Sequence, residues 1–127
     1  MKRGFLSFSK MLAIALTAFA LLAGEVFSQS GGTVTIDLAA QNSAFDQKTV
    51  TVPAGARVII NFENRDRIPH NVSVYESERA IKVFYYSKII NGMQNVQYEF
   101  TAPEKPGTYF FRCDLHPRGM IGDFVVE

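Results

Sequence analysis

The chain has 127 residues and an ordinary composition, 47% hydrophobic and 20% charged, which supplies enough apolar material for the core of one domain. Its formal net charge of +1 excludes a general nucleic-acid binder, because such proteins carry a large basic excess. A single cysteine excludes an internal disulfide, so an exported chain uses this thiol as a reactive group, an intermolecular bridge or a metal ligand.

The first residues have the layout of a secretory signal peptide. The basic segment MKRGFLSFSK precedes the apolar run MLAIALTAFALLAG, and VFS stands before Gln29. The apolar run is shorter than the roughly 20 residues that a transmembrane helix needs, and an uncleaved membrane anchor is the alternative. We therefore expect residues 1–28 to be a signal peptide for export, most naturally to a bacterial periplasm. Residues 29–127 would then form one domain that does not insert into a membrane.

The rest of the chain alternates apolar and polar residues with the period of two that β-strands show. The alternation runs through GGTVTIDLAA, KTVTVPAG, ARVIINFEN, NVQYEFTAP, TYFFRC and MIGDFVVE, and Pro and Gly turns separate the segments. This pattern predicts an all-β domain, either an antiparallel sandwich or a small barrel. Residues 75–92 lack a clear period and predict a long connection between two sheets, with one helical turn and a Phe-Tyr-Tyr cluster that covers the core.

Side chains that bind soft metals cluster in the stretch FRCDLHPRGM near the end of the chain. Cys113 shares a strand face with Tyr109 and Phe111, which points its thiol inward, and His116 and Met120 follow in the next loop. Thiolate, imidazole and thioether together suit copper, whereas Ca²⁺ and Mg²⁺ prefer oxygen ligands and zinc usually takes more cysteines. The stretch therefore favours a copper site.

The second histidine of the chain, His70, follows a predicted strand that ends at Asn64. In a sandwich, its loop and the last hairpin loop can share one end, so that His70 reaches Cys113 and His116. Two imidazoles and a thiolate in a plane, with Met120 as a weak axial ligand, form the blue-copper arrangement. Core packing or solvation explains each side chain singly, but the set takes both histidines and the only cysteine.

These segments resemble the small cupredoxins, which include plastocyanin, pseudoazurin and amicyanin. The resemblance runs from VTVPAGARVIINFEN through PHNV to GTYFFRCDLHPRGMIGDFVV. It implies a Greek-key antiparallel β-sandwich, copper at His70, Cys113, His116 and Met120, and electron transfer rather than substrate turnover. Three residues stand between His116 and Met120, against four in plastocyanins and pseudoazurins and two in amicyanins, and this loop length tunes the ligand geometry.

The resemblance also implies roles for the two neighbours of His70. Asn71 is expected to brace the segment at Asp114 and so to fix ligand orientation, with an ordinary turn asparagine as the alternative. Pro69 is expected to belong to an apolar surface around the exposed edge of His116. The other members of that surface are Ile68, Met93 and Pro117.

Function and partners follow from the same resemblance. It implies a monomeric electron carrier that docks briefly to redox partner proteins, with a c-type cytochrome or a copper or haem enzyme as candidates. A periplasmic copper-trafficking protein would use the same ligands and is the alternative. Copper enzymes with further metal centres need more histidines than the two present, and a metal-free adhesion-like sandwich leaves the ligand set unexplained.

Three arginines surround the predicted site in the sequence. They are Arg65, Arg67 and Arg118, and only Asp66 and Asp114 oppose them locally. The arginines predict a basic rim that steers an acidic partner toward His116, with solvated side chains of no functional role as the alternative.

Overall fold

A computed structural model describes residues 31–127 of the chain. The signal peptide predicted for residues 1–28 lies outside the described residues. Within residues 31–127, no helix has the length and hydropathy that a membrane span requires. The regular structure of this part consists of nine strands. They are β1 (Thr33–Gln41), β2 (Ala44–Phe45), β3 (Thr49–Val52), β4 (Arg57–Asn64), β5 (Ser73–Tyr75), β6 (Val83–Tyr85), β7 (Asn95–Thr101), β8 (Gly107–Arg112) and β9 (Ile121–Val126).

The strands form two sheets around one hydrophobic core, which confirms the predicted all-β sandwich. One sheet has the strand order β2-β1-β4-β7, and the other has the order β3-β9-β8-β5-β6. The alternation that predicted the strands also sets their burial, since Val58, Ile60 and Phe62 of β4 are buried between exposed or half-buried neighbours. Aromatic rings join the two sheets, as Phe45 contacts Phe111 at a centroid distance of 5.2 Å.

Each sheet is mixed, because one parallel pair accompanies the antiparallel pairs. Strands β1 and β4 run parallel in the first sheet, and strands β3 and β9 run parallel in the second. The remaining pairs are antiparallel. The parallel pairs arise because the chain visits the opposite sheet between the two strands, and side-chain alternation does not reveal strand direction.

Residues 75–92 contain strand β6 and, contrary to the predicted helical turn, no helix. Strand β6 pairs antiparallel with β5 at the edge of the second sheet, and the chain then crosses to β7 in the first sheet as predicted. The Phe-Tyr-Tyr cluster covers the core only in part. Tyr85 stacks on Phe100 at 4.5 Å between ring centroids, whereas Phe84 and Tyr86 are exposed.

Two chain segments meet near the end of the sandwich at which β4 and β8 finish. One is the connection from β4 to β5, which carries His70, and the other is the β8–β9 loop. A reciprocal backbone pair holds His70, because its N–H donates to Ile90 O and its carbonyl accepts from Ile90 N–H. The backbone of His70 is therefore fixed before β5 begins.

Candidate metal centre

Three donor side chains converge where these segments meet. Cys113 Sγ lies 3.7 Å from His70 Nδ1 and 3.6 Å from His116 Nδ1, and the donor atoms all lie within 4.8 Å of one another. Bonds of about 2.0–2.3 Å to a common ion at trigonal angles separate donors by roughly 3.5–3.8 Å. The two distances from the sulfur therefore fit one shared ion. His70 and Cys113 are fully buried, and His116 is half-buried.

The β8–β9 loop closes on itself through backbone hydrogen bonds. His116 N–H donates to Cys113 O at 3.1 Å, Met120 N–H donates to His116 O at 3.0 Å, and Cys113 N–H donates to Met120 O at 3.0 Å. Met120 is fully buried although Arg118 and Gly119 before it are exposed. The three-residue spacing thus returns Met120 to the backbone of Cys113.

Asn71 connects the two segments that carry the donors. Its Oδ1 accepts from the Asp114 N–H at 2.8 Å, and its Nδ2 donates to Asp114 Oδ2 at 2.7 Å. The same amide group also donates to Ser87 O at 3.1 Å. The structure therefore contains the contact with the segment at Asp114 that the sequence predicted for Asn71.

Asp114 also binds two hydroxyl groups that sequence analysis missed. Ser73 Oγ donates to its carboxylate at 2.6 Å, and the hydroxyl of Tyr75 donates to the other oxygen. Burial of Tyr75 and its bond to Asp114 raise the pKa of the Tyr75 hydroxyl. The signal was present in the sequence, since Ser73 and Tyr75 share one face of a strand and Asn71 precedes them with the same spacing of two.

The hydrogen bonds keep the Asp114 carboxyl ionised directly after Cys113. Burial alone would raise the pKa of Asp114, but the bonds from Ser73, Tyr75, Asn71 and Arg112 together hold it below its usual range. The guanidinium of Arg112 lies over the Tyr75 ring, 4.0 Å from the ring centroid. Four side chains therefore fix Asp114, the residue that follows Cys113.

The second ring nitrogen of His70 has a partner of its own. Its Nε2 lies 2.8 Å from Asp66 Oδ2, and the Asp66 carboxylate also accepts the N–H groups of Asn42 at 2.7 Å and Ser43 at 2.9 Å. Burial alone would raise the pKa of the Asp66 carboxyl, but the hydrogen bonds from Ser43, His70 and Asn42 lower it. The sequence placed Asp66 only among the surface charges and missed this contact.

The apolar residues of the predicted surface are exposed. Leu115 is 45% exposed and Ile68 is 42% exposed, and both lie next to residues that flank or carry the donors. Met93 is 70% exposed, and its N–H donates to Asp66 O at 2.9 Å. The predicted members Pro69 and Pro117 are also exposed. Leu115 was not among the members that the sequence predicted for this surface.

One of the three arginines of the predicted basic rim forms an ion pair. Arg65 donates from Nε at 2.9 Å and from Nη2 at 2.7 Å to Glu63 Oε2, so the prediction that only Asp66 and Asp114 oppose the arginines is wrong. Glu63 belongs to β4 and Arg65 follows the end of that strand. The ion pairs of residues 31–127 do not include Arg67 or Arg118, and both are exposed.

Residues 11–126 match the family model described as a cupredoxin-like domain. The chain belongs to the cupredoxin-like family. The match spans most of the chain and confirms the resemblance that the sequence motifs indicated. No curated protein matches this cupredoxin.

Solved structures resemble this cupredoxin over most of its length. Auracyanin A, a "blue" copper protein from the green thermophilic photosynthetic bacterium Chloroflexus aurantiacus, is 28% identical with a TM-score of 0.67, over 76% of this chain and 100% of that chain. Reduced auracyanin from Roseiflexus castenholzii is 26% identical with a TM-score of 0.66, over 76% and 99%. Amicyanin from Paracoccus versutus shares the fold at 20% identity and a TM-score of 0.52, over 73% and 81%.

Copper is the cofactor that the family and the donor set indicate. His70, Cys113, His116 and Met120 are positioned as a copper site, with a thiolate and two imidazoles at distances that suit one ion. Soft sulfur ligands combined with imidazole select copper over oxygen-seeking cations.

Proposed function

We propose that this cupredoxin is a type 1, or blue, copper protein that shuttles single electrons between redox partners. His70, Cys113 and His116 would bind the ion in a plane, and Met120 would be the weak axial ligand. The observation that carries the proposal is the convergence of Cys113 Sγ and two imidazole Nδ1 atoms in a largely buried position. Bound copper would supply the one-electron change between Cu(II) and Cu(I).

The residues around the donors support electron transfer because they hold one geometry. The backbone pair of His70 with Ile90 and the hydrogen bonds of Asn71 with Asp114 fix both donor segments. Such outer contacts orient metal ligands, so that the protein does not have to rearrange when the charge of the ion changes. No substrate turnover is proposed, and the protein would act as an electron carrier.

His116 is the proposed point of electron entry and exit. It is half-buried in a loop, whereas His70 and Cys113 are fully buried. The exposed apolar residues Ile68, Leu115 and Met93 would allow brief docking of a redox partner, such as a c-type cytochrome or a copper or haem enzyme. Such docking needs no lasting complex, and we propose that the protein itself is a monomer.

Export completes the proposal. Residues 1–28 would direct the chain out of the cytoplasm, and residues 29–127 would work as a single domain in a bacterial periplasm. The order of a basic segment, a short apolar run and small or apolar residues before Gln29 supports this location.

Addition of Cu(II) to the purified protein tests the assignment. We expect an intense thiolate-to-copper absorption band in the visible region, and Cys113→Ser should lose the band because a hydroxyl cannot form the covalent copper–sulfur bond. Circular dichroism should show that the variant remains folded, since the two sheets hold the core. A band of unchanged intensity in Cys113→Ser would remove the thiolate from the proposal. A copper dissociation rate faster than electron exchange with a c-type cytochrome would favour trafficking instead.

A further inference from the structure

Asp66 occupies a fixed position beside His70. The Asp66 N–H donates to Asn64 Oδ1 at 3.0 Å, and the Asp66 carbonyl accepts from Met93 N–H at 2.9 Å. Its carboxylate is held by the N–H groups of Asn42 and Ser43, the two residues of the turn between β1 and β2. Both turn residues have positive φ, 55° and 53°, as a type I′ hairpin turn requires.

The contact with Asp66 decides which nitrogen of His70 carries the ring proton. An ionised carboxylate can only accept hydrogen bonds, so the Nε2 atom 2.8 Å from Asp66 Oδ2 must be the donor. A neutral imidazole has one N–H group, and the lone pair therefore lies on Nδ1. That atom is the one that faces Cys113 Sγ at 3.7 Å.

We propose that Asp66 is the positioning residue of His70 and that its negative charge lowers the reduction potential of the copper site. This inference rests on the proposed function, in which His70 is a copper ligand. A carboxylate that accepts the Nε2–H bond fixes the ring and raises the basicity of Nδ1. A more basic nitrogen stabilises Cu(II) relative to Cu(I), which lowers the potential.

Burial increases the effect of this charge. The Asp66 side chain is 15% exposed and the His70 side chain is fully buried, so water screens their interaction only weakly. The same carboxylate connects His70 to a turn that begins 24 residues before Asp66 in the chain. The turn between β1 and β2 therefore belongs to the support of the metal site.

Glu63 provides a matched control carboxylate. It stands three residues before Asp66, its side chain is 47% exposed, and its bonds go to Arg65 rather than to a donor residue. Glu63→Gln removes the same charge as Asp66→Asn but leaves the contacts of His70 intact. The comparison separates the effect of a buried charge in contact with His70 from that of a solvent-screened charge nearby.

Voltammetry of the copper-loaded proteins tests the effect on the potential. The amide of Asp66→Asn keeps the size of the side chain and one acceptor oxygen but removes the charge. We expect its potential to rise above that of the native protein, and the potential of Glu63→Gln to change much less because solvent screens that site. Equal shifts in the two variants, or no shift in Asp66→Asn, would overturn the claim about the potential.

Nitrogen-15 NMR of the metal-free protein tests the positioning role without any copper. We expect His70 to carry its proton on Nε2 in the native protein and in Glu63→Gln, and to show a mixture of tautomers in Asp66→Ala. A proton on Nδ1 in the native protein would overturn the proposal. If the native protein developed no thiolate-to-copper band, the proposed function would fail, whereas the tautomer would still report on Asp66.

Discussion

Met120 differs from the other proposed ligands in how the structure holds it. Its side chain is fully buried, and its backbone bonds to both Cys113 and His116 hold it directly before β9. A thioether in a blue-copper site is a weak and long axial ligand, and the identity of that ligand tunes the reduction potential. Substitution of Met120 should therefore shift the potential and leave copper binding in place.

We expect opposite shifts from two replacements of Met120. Met120→Gln should lower the reduction potential, because a harder oxygen donor favours Cu(II), and Met120→Leu should raise it, because the axial donor is lost. Voltammetry measures both shifts, and the visible spectrum checks that copper is still bound. Two variants with the potential of the native protein would show that Met120 is not the axial ligand.

Tyr98 gives a pH dependence at the residue scale. Its side chain is 3% exposed and its hydroxyl donates to Lys88 O at 2.5 Å, and burial raises its pKa to about 12. The fold therefore favours the neutral phenol, whereas an unfolded tyrosine ionises near pH 10. The stabilisation is fully present below pH 10 and is lost as the pH rises through about 12.

Denaturant unfolding of the metal-free protein at pH 9, 10 and 11 measures this loss. The native free energy of unfolding should fall with pH more steeply than that of Tyr98→Phe, by roughly 1.4 kcal/mol for each pH unit between the two pKa values. Tyr98→Phe also loses the bond to Lys88 O, which lowers its stability equally at each pH. Parallel pH profiles for the two proteins would contradict the assignment.

At the scale of elements, the turn that leads into β7 contains a strained residue. Met93 has a φ of 63°, in the left-handed region that L-residues other than glycine avoid, at a cost of about 1–2 kcal/mol. The preceding Gly92 approaches another segment closely, since an added Cβ would collide with the backbone carbonyl group of Arg67. The strained turn thus holds an exposed methionine against the backbone of Asp66.

Met93→Gly should stabilise the protein, because glycine adopts positive φ without strain. We expect a gain of about 0.5–1 kcal/mol in the free energy of unfolding, since the greater entropy of unfolded glycine offsets part of the relief. Met93→Ala keeps the strain while it removes the side chain, and it should give no gain. Equal stability of the glycine and alanine variants would show that strain at φ is not the cause.

The sequence predicted the long strands and the donor set, but it did not predict several elements that depend on distant contacts. Alternation reveals strands such as β4, yet β2 and β6 have only two and three residues and show no period. The donors were predictable because cysteine and histidine are rare in this chain. Aspartate is common, so its presence near a histidine predicts no contact. The position of the Asp66 carboxylate depends on a turn that is distant in the sequence, and the sequence alone therefore did not predict its contact with His70.

At the scale of the whole molecule, charge and apolar surface combine at the end that holds His116. Removal of residues 1–28 would leave ten basic and eleven acidic residues, a net charge of −1, so attraction of an acidic partner must come from a local patch. Arg67 and Arg118 can supply that patch, whereas Glu63 neutralises Arg65. Long-range attraction of this kind raises association rates and is screened over about 8 Å at physiological salt.

Reversal of the free arginines should slow docking without changing the site. We expect Arg67→Glu combined with Arg118→Glu to lower the association rate with an acidic redox partner, on the order of tenfold at low salt. The visible spectrum should remain that of the native protein. Stopped-flow electron exchange at several salt concentrations measures the rates, and added salt should slow the native protein more than the variant.

Lys105→Glu is the control for the single charge reversal Arg118→Glu. Lys105 lies before β8, at the opposite end of that strand from Cys113, so its charge is remote from His116. It should slow association less than Arg118→Glu does. Equal effects from the two single variants would mean that overall charge, rather than a rim beside His116, governs the encounter.

The strand order has a consequence for a protein cut in two. The exposed turn at residues 76–79 divides the chain after β5. Each sheet contains strands from both pieces, since β7 pairs with β4 in one sheet, while β3 pairs with β9 and β5 pairs with β8 in the other. The first piece brings His70 and the second brings the other three proposed ligands. Neither piece has a complete sheet, so cleavage in this turn should leave two fragments that hold together without a peptide bond. If denaturant separates the two fragments, neither fragment alone should develop the thiolate-to-copper band. The band should return when the fragments are mixed without denaturant and reassemble into the two sheets.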